Sequence, residues 1–297
     1  MPDRGLRHPS GVLDLRAGLD WWDTWRGQPA AALAEVVEHY WRVRWDTRGR
    51  EPYAQQTLSN ASVHLCAERG NSRIQGVVTG RFTRLLSGRG RVFGIKFRPA
   101  GFRPFLGSPV AVLTDRTIPV RAVFGREGDA YVRRVLALDA DESMALAADA
   151  FLLERLPPLD PTASEVNRIV ALIVSERAIT RVDHVVERAG VGKRTLQRLF
   201  HEYVGVSPKW VIQRYRLHEA AQRLAEDPGL GLADLALDLG YSDQAHFARD
   251  FRSVVGRPPA AYMRAAAVTY PASAPPGRRA PGGTSSCAAA DGRSREG

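Results

Sequence analysis

The sequence is 297 residues long and 44% hydrophobic, which predicts a globular protein of about two domains. It has no run near the roughly 18 apolar residues that a membrane span needs, no apolar segment of a secretory signal at its start, and too few cysteines (Cys66 and Cys287) for a disulfide framework. We therefore expect a cytoplasmic protein without a membrane partner. The net charge of +10 permits nucleic-acid binding but does not establish it, because 39 of the 42 basic residues are arginine, a bias that GC-rich codons also produce.

Residues 1–157 predict a β-rich domain. Hydrophobic residues alternate in YWRVRWD, which places Trp41 and Trp45 on one face of a strand, and SVHLCAE alternates likewise. A further strand, RVFGIKF, follows the GRGR segment at 88–91. GRGR lacks the Gly-Lys-Ser/Thr of a phosphate-binding loop and precedes a strand, so we interpret it as the turn of a β-hairpin.

Three groups of side chains in this half are candidate ligand sites. His64 and Cys66 share a strand face, with His39 as a third candidate ligand. A metal site needs three or four convergent ligands, and packing is the alternative that we favour. Arg98 and Arg103 would suit an anionic ligand or a solvated loop, and we favour the loop. The tryptophans of the third group could line a pocket or pack in the core, which we favour. They are Trp21, Trp22 and Trp25.

Helical spacing begins after residue 128. DAYVRRVLALD and SMALAADAFLLERL predict one or two helices that close the first domain. The proline-rich segment 155–164 predicts a linker, with Ser164 as the N-cap of the next helix. Residues 158–265 then show helical spacing throughout, and the tail at 266–297, rich in Ala, Pro, Gly, Ser and Arg, predicts disorder. The expected fold class is α+β, with an all-α C-terminal domain.

The C-terminal half repeats one structural unit. VDHVVERAG matches LADLALDLG 50 positions later, with Gly190 over Gly240, and LQRLFHEYVGVSP matches FARDFRSVVGRPP 51 positions later. Each copy predicts a helix, a tight turn and a second helix. Ser207 as N-cap and Pro208 as first residue predict a connecting helix to about Glu226. It would span roughly 28 Å, comparable to the ~34 Å turn of B-DNA, so one chain can present two helices to successive major grooves.

The second helix of the first copy carries a face suited to DNA. Leu196 and Phe200, four residues apart, predict its buried side. The opposite side carries long hydrogen-bond donors that fit guanine, adenine and phosphate. These residues are Lys193, Arg194, Gln197, Arg198 and His201. Any solvated helix can have a polar face, but here such a face occurs in both copies on the second helix of a turn motif. The first copy is also the more basic, since residues 164–226 carry a net charge of +4 and residues 227–264 one of −1.

The motifs RTLQRLFHEYVGVSPKWVIQRYRLHEAAQRL and LADLALDLGYSDQAHFARDFRSVVGRPPAAYM resemble the AraC/XylS family of bacterial transcription regulators, over about residues 164–264. The resemblance implies a seven-helix DNA-binding domain with two helix-turn-helix units. Gly192 stands where the family often has a serine N-cap, and Ala245 where a polar residue is common. The implied base-reading residues are Arg194, Gln197 and Arg198 in the first unit and Gln244, His246 and Arg249 in the second.

The N-terminal half resembles an uncharacterised cupin-like domain, in HYWRVRWD, GRVFGIKFRPAGFRPFLG and LTDR. In the family, such halves sense a small molecule or mediate dimerisation. We therefore predict a transcription regulator that binds double-stranded DNA, with a small-molecule effector or a second copy as further partners and RNA polymerase as a partner of an activator.

We expect no cofactor and no enzymatic activity, because the sequence has no Gly-x-Ser-x-Gly, His-Glu-x-x-His or Cys-x-x-Cys motif. Two alternatives remain: an enzymatic N-terminal barrel targeted to DNA by the C-terminal helices, and an N-terminal half that only dimerises.

Overall fold

The N-terminal half is built on a six-stranded antiparallel sheet. The computed structural model of the chain describes residues 21–227 and 229–269. In the main sheet the strand order is β1-β2-β7-β4-β5-β8, and β3 pairs with β6 in a separate two-stranded sheet. The strands are β1 (Trp22–Gly27), β2 (Val37–Asp46), β3 (Tyr53–Thr57), β4 (His64–Glu68), β5 (Arg73–Gln75), β6 (Phe82–Leu86), β7 (Arg89–Phe97) and β8 (Thr117–Ile118).

Three helices accompany these sheets, and the remaining described chain is helical. This arrangement confirms the α+β class, with β-strands in the first half and two helix-turn-helix units in the second. The helices are α1 (Arg103–Leu106), α2 (Arg121–Ala137), α3 (Asp141–Leu153), α4 (Pro161–Ser175), α5 (Val182–Ala189), α6 (Lys193–Leu199), α7 (Pro208–Glu226), α8 (Leu232–Asp238), α9 (Gln244–Val255) and α10 (Pro259–Thr269). None of the helices in the described ranges is long and apolar enough to span a bilayer.

One face of the main sheet packs on α2 and α3. Tyr40, Phe93 and Ile95 are fully or almost fully buried there. The Tyr40 hydroxyl donates to Asp149 Oδ1 at 2.7 Å, and the buried guanidinium of Arg42 donates to the Asp141 carboxylate. These two bonds satisfy polar groups that would otherwise be costly to bury, and they join the sheet to α3.

The turn at GRGR differs from its prediction. A turn is present, with Gly88 at a φ of 61°, and its carbonyl accepts from Thr47 N at 2.7 Å. The strands on either side, however, lie in different sheets, because β6 pairs with β3 whereas β7 pairs with β2 and β4. The hairpin prediction was therefore wrong: the turn carries the chain from one sheet to the other.

The start of α4 also corrects the sequence analysis. Asp160, not Ser164, is the N-cap, and its carboxylate accepts from Thr162 N at 2.9 Å. Pro161 occupies the first helical position, where its fixed φ fits and its missing N–H has no role. Ser164 lies one turn inside the helix, with its Oγ 3.2 Å from Glu35 Oε2. At the other end of the domain, α10 continues to Thr269, so the first residues of the expected tail are helical and the rest lie outside the described ranges.

The C-terminal half has two hydrophobic cores, which share α7. The first-unit core contains Phe200 and Val211, and the second-unit core contains Leu224 and Phe251. Both cores also receive side chains from the N-terminal half. The first-unit core includes Ala61, Val77 and Ala100, and the second-unit core includes Leu58. The two halves of the chain are therefore packed together, and α7 is covered by both.

Candidate nucleic-acid interface

The first helix-turn-helix unit consists of α5, a short turn and α6. Gly190 ends α5 with a φ of 66°, which a residue with a side chain adopts only at a cost. Leu196 and Phe200 are fully buried, as their spacing predicts. α6 continues into one π-helical turn, Phe200–Val204, and ends at Gly205 with a φ of 90°. The turn and the two apolar anchors hold α6 with its opposite face in solvent.

That solvent face presents four side chains at helical spacing. Arg194, Gln197, Arg198 and His201 are all exposed, and they follow each other at i, i+3, i+4 and i+7. Within the described ranges, the first three have no hydrogen bond or ion pair, so their donors are available to a ligand. Lys193 is also exposed, but its Nζ lies 3.1 Å from Asp183 Oδ1 on α5. The structure thus brings the predicted first-unit residues onto one face.

The second unit consists of α8, a longer turn and α9. Asp243 is the N-cap of α9, and its carboxylate accepts from His246 N at 2.7 Å. That backbone hydrogen bond lowers the pKa of the Asp243 carboxyl, which therefore stays charged at the helix N-terminus. The equivalent position before α6 is Gly192, which provides no side-chain cap. α9 is therefore capped by a side chain, and α6 is not.

The predicted second-unit residues do not all share one face. Gln244 and Arg249 are exposed, but His246 packs edge-on against Tyr241 at 5.1 Å between ring centroids. Its Nδ1 is 3.4 Å from Ser242 Oγ, and its Nε2 is 3.8 Å from the Asp250 carboxylate. The His246 ring is thus held against the turn and the acidic side of its own helix.

The repeat shows which residues of the second unit stand where the first unit has its exposed donors. At the offset of 51 residues, alanines occupy the positions of Arg194 and Gln197, and Arg249 occupies that of Arg198. Arg252 is exposed and stands at the position of His201, which makes it a further candidate DNA contact. The family motif did not predict Arg252, but the 51-residue offset between the two units does. At these positions the second unit therefore has fewer side-chain donors than the first.

Two basic residues of α7 point inward. Arg214 and Arg216 are each only 2% exposed. Arg214 donates to Thr79 O and stacks over the Trp210 ring at 4.6 Å, and Arg216 donates to Glu219 Oε2 at 2.6 Å. The net charge of +4 for residues 164–226 therefore overstates the positive charge that the first unit exposes on its surface.

The other predicted sites have structural partners. Arg103 lies on α1 and pairs with Glu202 at 2.6 Å, so it is not part of a solvated loop, and Arg98 donates to Ala34 O. His39 and His64 lie on either side of Lys96 across β2, β7 and β4, and His64 Nδ1 accepts from Trp41 Nε1 at 3.2 Å. No group of three or more His, Cys, Asp or Glu side chains in the described ranges is placed to hold a metal ion.

The tryptophan cluster divides between the core and a second aromatic contact. Trp25 packs on the core of the N-terminal half, with its ring 6.5 Å from that of Phe93. Trp21 packs edge-on against Tyr53 at 5.1 Å and lies 6.4 Å from Trp22.

A cleft of about 290 Å³ lies between α1, α2 and the linker. At this place α2 is kinked at Gly125, whose φ is 59°. The cleft combines aromatic walls with one ion pair, between Arg155 and Glu127 at 2.6 Å. It is lined by Pro104, Phe105, Val123, Phe124, Glu127, Arg155 and Pro157.

A duplicated helix-turn-helix with an exposed basic face defines a class of DNA-binding domain. Residues 185–265 match the family model described as "Helix-turn-helix domain", and residues 26–119 match "Domain of unknown function (DUF6597)". The C-terminal half carries an AraC-type helix-turn-helix domain.

Named transcription regulators are similar to part of this chain. The chain is 33% identical over 82 residues to the "Probable transcription factor PqrA" of Proteus vulgaris, covering 28% of this chain and 66% of the relative. It is 33% identical over 119 residues to the "Transcriptional activator NphR" of Rhodococcus sp, covering 40% of this chain and 33% of the relative. The chain thus spans under two thirds of PqrA and about a third of NphR.

Among solved structures, ToxT from Vibrio cholerae aligns over 82% of this chain and 97% of its own, at 11% identity and a TM-score of 0.35.

Proposed function

We propose that the protein is a sequence-specific DNA-binding transcription regulator, in which α6 and α9 enter the major groove. The observation that supports this most directly is the exposed face of α6. Arg194, Gln197 and Arg198 lie there without partners in the described part of the chain, on the second helix of a helix-turn-helix unit. Arginine and glutamine are the side chains that pair bidentately with guanine and adenine. Double-stranded DNA is the partner, and an enzymatic role has no comparable support.

The finer assignments extend this proposal. Residues 1–157 form a regulatory domain, residues 158–265 bind DNA, and the protein acts in the cytoplasm. Regulation proceeds through a small-molecule effector or through a second copy, and an activator would also contact RNA polymerase. The supporting observation is that Leu58 and Ala61 lie in the two cores of the DNA-binding half, so the N-terminal half contacts both units. The cleft beside Phe105 and Phe124 is the place that we propose for an effector.

Selection from a random duplex pool with the full chain tests DNA recognition. We expect one sequence class to be enriched, and its affinity to fall with salt, with a slope of log K against log salt of roughly −0.9 for each phosphate that is neutralised. Arg168→Ala, an exposed arginine on α4, is the control for loss of one positive charge outside the units. A chain that enriches no sequence would contradict the proposal.

A thermal-shift screen with small molecules, combined with the solution mass of the full chain, tests the mode of regulation. A compound that raises the unfolding temperature and changes affinity for the selected duplex supports an effector. A dimer whose DNA affinity follows protein concentration supports regulation by dimerisation. A monomer that responds to no compound argues against both.

A further inference from the structure

The N-terminal half contacts the two helix-turn-helix units at equivalent positions of their repeat. Gly205 and Gly256 are 51 residues apart, and each ends the second helix of its unit with a positive φ, 90° and 88°. Each is also the point where a residue of the N-terminal half comes close. The repeat therefore carries two matching docking points as well as two reading helices.

At Gly205 the contact is a hydrogen bond and close packing. Thr114 Oγ1 donates to Gly205 O at 2.6 Å. A Cβ atom on Gly205 would lie 3.1 Å from both Thr114 Oγ1 and Val110 O, closer than most side-chain atoms approach. The ion pair between Arg103 and Glu202 lies beside it, on the same π-helical turn. The end of α6 is thus seated on the N-terminal half.

At Gly256 the contact is made by Arg81, which precedes β6. A Cβ atom on Gly256 would lie 2.3 Å from Nη1 of Arg81, so the guanidinium of this exposed and flexible side chain lies close against the end of α9. A cation beside the C-terminus of a helix interacts favourably with the partial negative charge of the last carbonyl groups. Arg81 thus lies beside the end of α9 as Thr114 lies beside the end of α6, although in the described ranges only Thr114 makes a hydrogen bond there.

A third contact lies between these two. Leu58 is 2% exposed and belongs to the second-unit core, whereas Ala61, three residues on, belongs to the first-unit core. Between them, Ser59 O lies 3.2 Å from His218 Nε2, on the middle of α7. Segment 58–61 is therefore wedged against the connecting helix where the two cores meet.

We infer that Leu58, Arg81 and Thr114 are positioning residues that fix the separation and orientation of α6 and α9. Two reading helices on one duplex must match the groove repeat of about 34 Å. One base pair advances the helix axis by about 3.4 Å, so a shift of a few ångströms between the units changes which spacing of two half-sites is bound. The inference rests on the proposed function, and it assigns to the N-terminal half the choice of half-site spacing.

The first experiment varies spacing. The full chain and its Arg81→Ala and Thr114→Val variants are titrated with the selected duplex and with duplexes that have one base pair inserted or deleted between the two contacted segments. We expect the wild-type chain to bind the altered duplexes at least tenfold more weakly. The variants should lose most of this discrimination and keep the wild-type salt dependence on non-specific DNA.

Matched controls remove similar groups elsewhere on the N-terminal half. Arg69→Ala and Thr83→Val alter exposed residues and should keep the wild-type spacing preference. If Arg81→Ala and Thr114→Val also keep it, the inference is overturned while the proposed function stands.

The second experiment needs no DNA and so separates the two proposals. Spin labels are placed at Glu187→Cys and Leu237→Cys, which are exposed and equivalent in the two units, in a chain with Cys287→Ser. Burial raises the pKa of the Cys66 thiol to about 11, which keeps it unreactive toward the label. We expect a narrow distance distribution that broadens or shifts with Arg81→Ala and with Leu58→Ala. An unchanged distribution in both variants would overturn the positioning role whether or not the protein binds a specific duplex.

Discussion

At the scale of single residues, His218 shows how the joint between the halves responds to pH. Its ring lies on α7 with Nε2 3.2 Å from Ser59 O, a geometry in which the neutral ring donates to the carbonyl. Burial lowers the pKa of His218 to about 4, from a usual value of 6.5. Below pH 6.5 the unfolded chain therefore binds a proton that the folded chain does not, and stability is lost as the pH falls toward 4.

We predict that His218→Gln weakens this pH dependence. Glutamine offers an amide N–H to Ser59 O but does not titrate. Between pH 7 and pH 5 the wild-type free energy of unfolding should fall by about 1 to 2 kcal/mol more than that of the variant. Urea unfolding at a series of pH values measures the difference. Parallel curves for the two proteins would show that His218 is solvated enough to bind its proton in the folded state.

A second prediction at this scale concerns base reading. Arg194→Ala or Gln197→Ala should each cost ~1–3 kcal/mol on the selected duplex and relax selectivity at one or two base pairs. His246→Ala should cost less, because its ring is held by Tyr241 and lies beside Asp250 rather than facing outward. Affinities on the same duplex and on its single-base variants test this. Equal losses at Arg194 and His246 would contradict the inequality of the units.

At the scale of elements, α6 and α9 differ most clearly at their first residues. α9 begins at an Asp243 cap, whereas α6 begins after Gly192, which has an extended backbone (φ −62°, ψ 147°) suited to a capping residue. A Cβ atom on Gly192 would meet no atom within 4 Å. We therefore predict that Gly192→Ser stabilises the protein by a few tenths of a kcal/mol, through a hydrogen bond to the first turn of α6.

Gly190→Ser is the matched control for that prediction. It lies two residues earlier, and its Cβ would also meet open space, but its φ of 66° is unfavourable for any side chain. This variant should lose roughly 1 kcal/mol. Thermal unfolding of both variants checks the pair. Destabilisation by Gly192→Ser would mean that the serine hydroxyl does not reach an N–H of α6.

Local chemistry explains which elements could be predicted from the sequence. The structure has Ser207 as the N-cap of α7, Pro208 as its first residue and Glu226 as its last, as predicted. The start of the helix is recognisable because Ser207 and Pro208 are neighbours in the sequence. The buried face of α6 follows from the spacing of Leu196 and Phe200. Such features depend on residues that are close in the sequence, so short sequence patterns predict them.

Features that depend on distant partners were missed. The turn at Gly88 predicts a hairpin locally, but β7 finds its partners in β2 and β4, dozens of residues away. Arg214 counts as a positive charge in the sequence, yet the Thr79 carbonyl and the Trp210 ring hold it in the interior. No local pattern distinguishes an arginine that faces DNA from one that is buried by another domain.

At the scale of the whole molecule, the sequence suggests that residues 160–265 bind DNA by themselves, since both units and α7 lie inside that range. The structure indicates that separating this fragment from the N-terminal half lowers its stability. Cutting the chain at the linker removes Leu58 from the second-unit core and Ala61 from the first-unit core, and it leaves the buried guanidinium of Arg214 without the Thr79 carbonyl. Because the N-terminal half buries the Arg214 guanidinium, water can solvate it in the fragment, so the loss of stability comes mainly from the apolar side chains that lose their cover.

We therefore predict that the 160–265 fragment still binds duplex DNA, because the α6 face is intact, but that it unfolds at a lower temperature than the full chain and selects its sequence less sharply. The full chain should unfold in a single transition, since the cores of the C-terminal half are completed by N-terminal residues. Calorimetry compares the unfolding temperatures of the fragment and the full chain, and titration with the selected and a scrambled duplex compares their selectivity. Residues 1–157 alone, which should not bind DNA, serve as the control. A fragment that matches the full chain in both unfolding temperature and selectivity would mean that the contacts between the halves contribute neither stability nor order to the DNA-binding units.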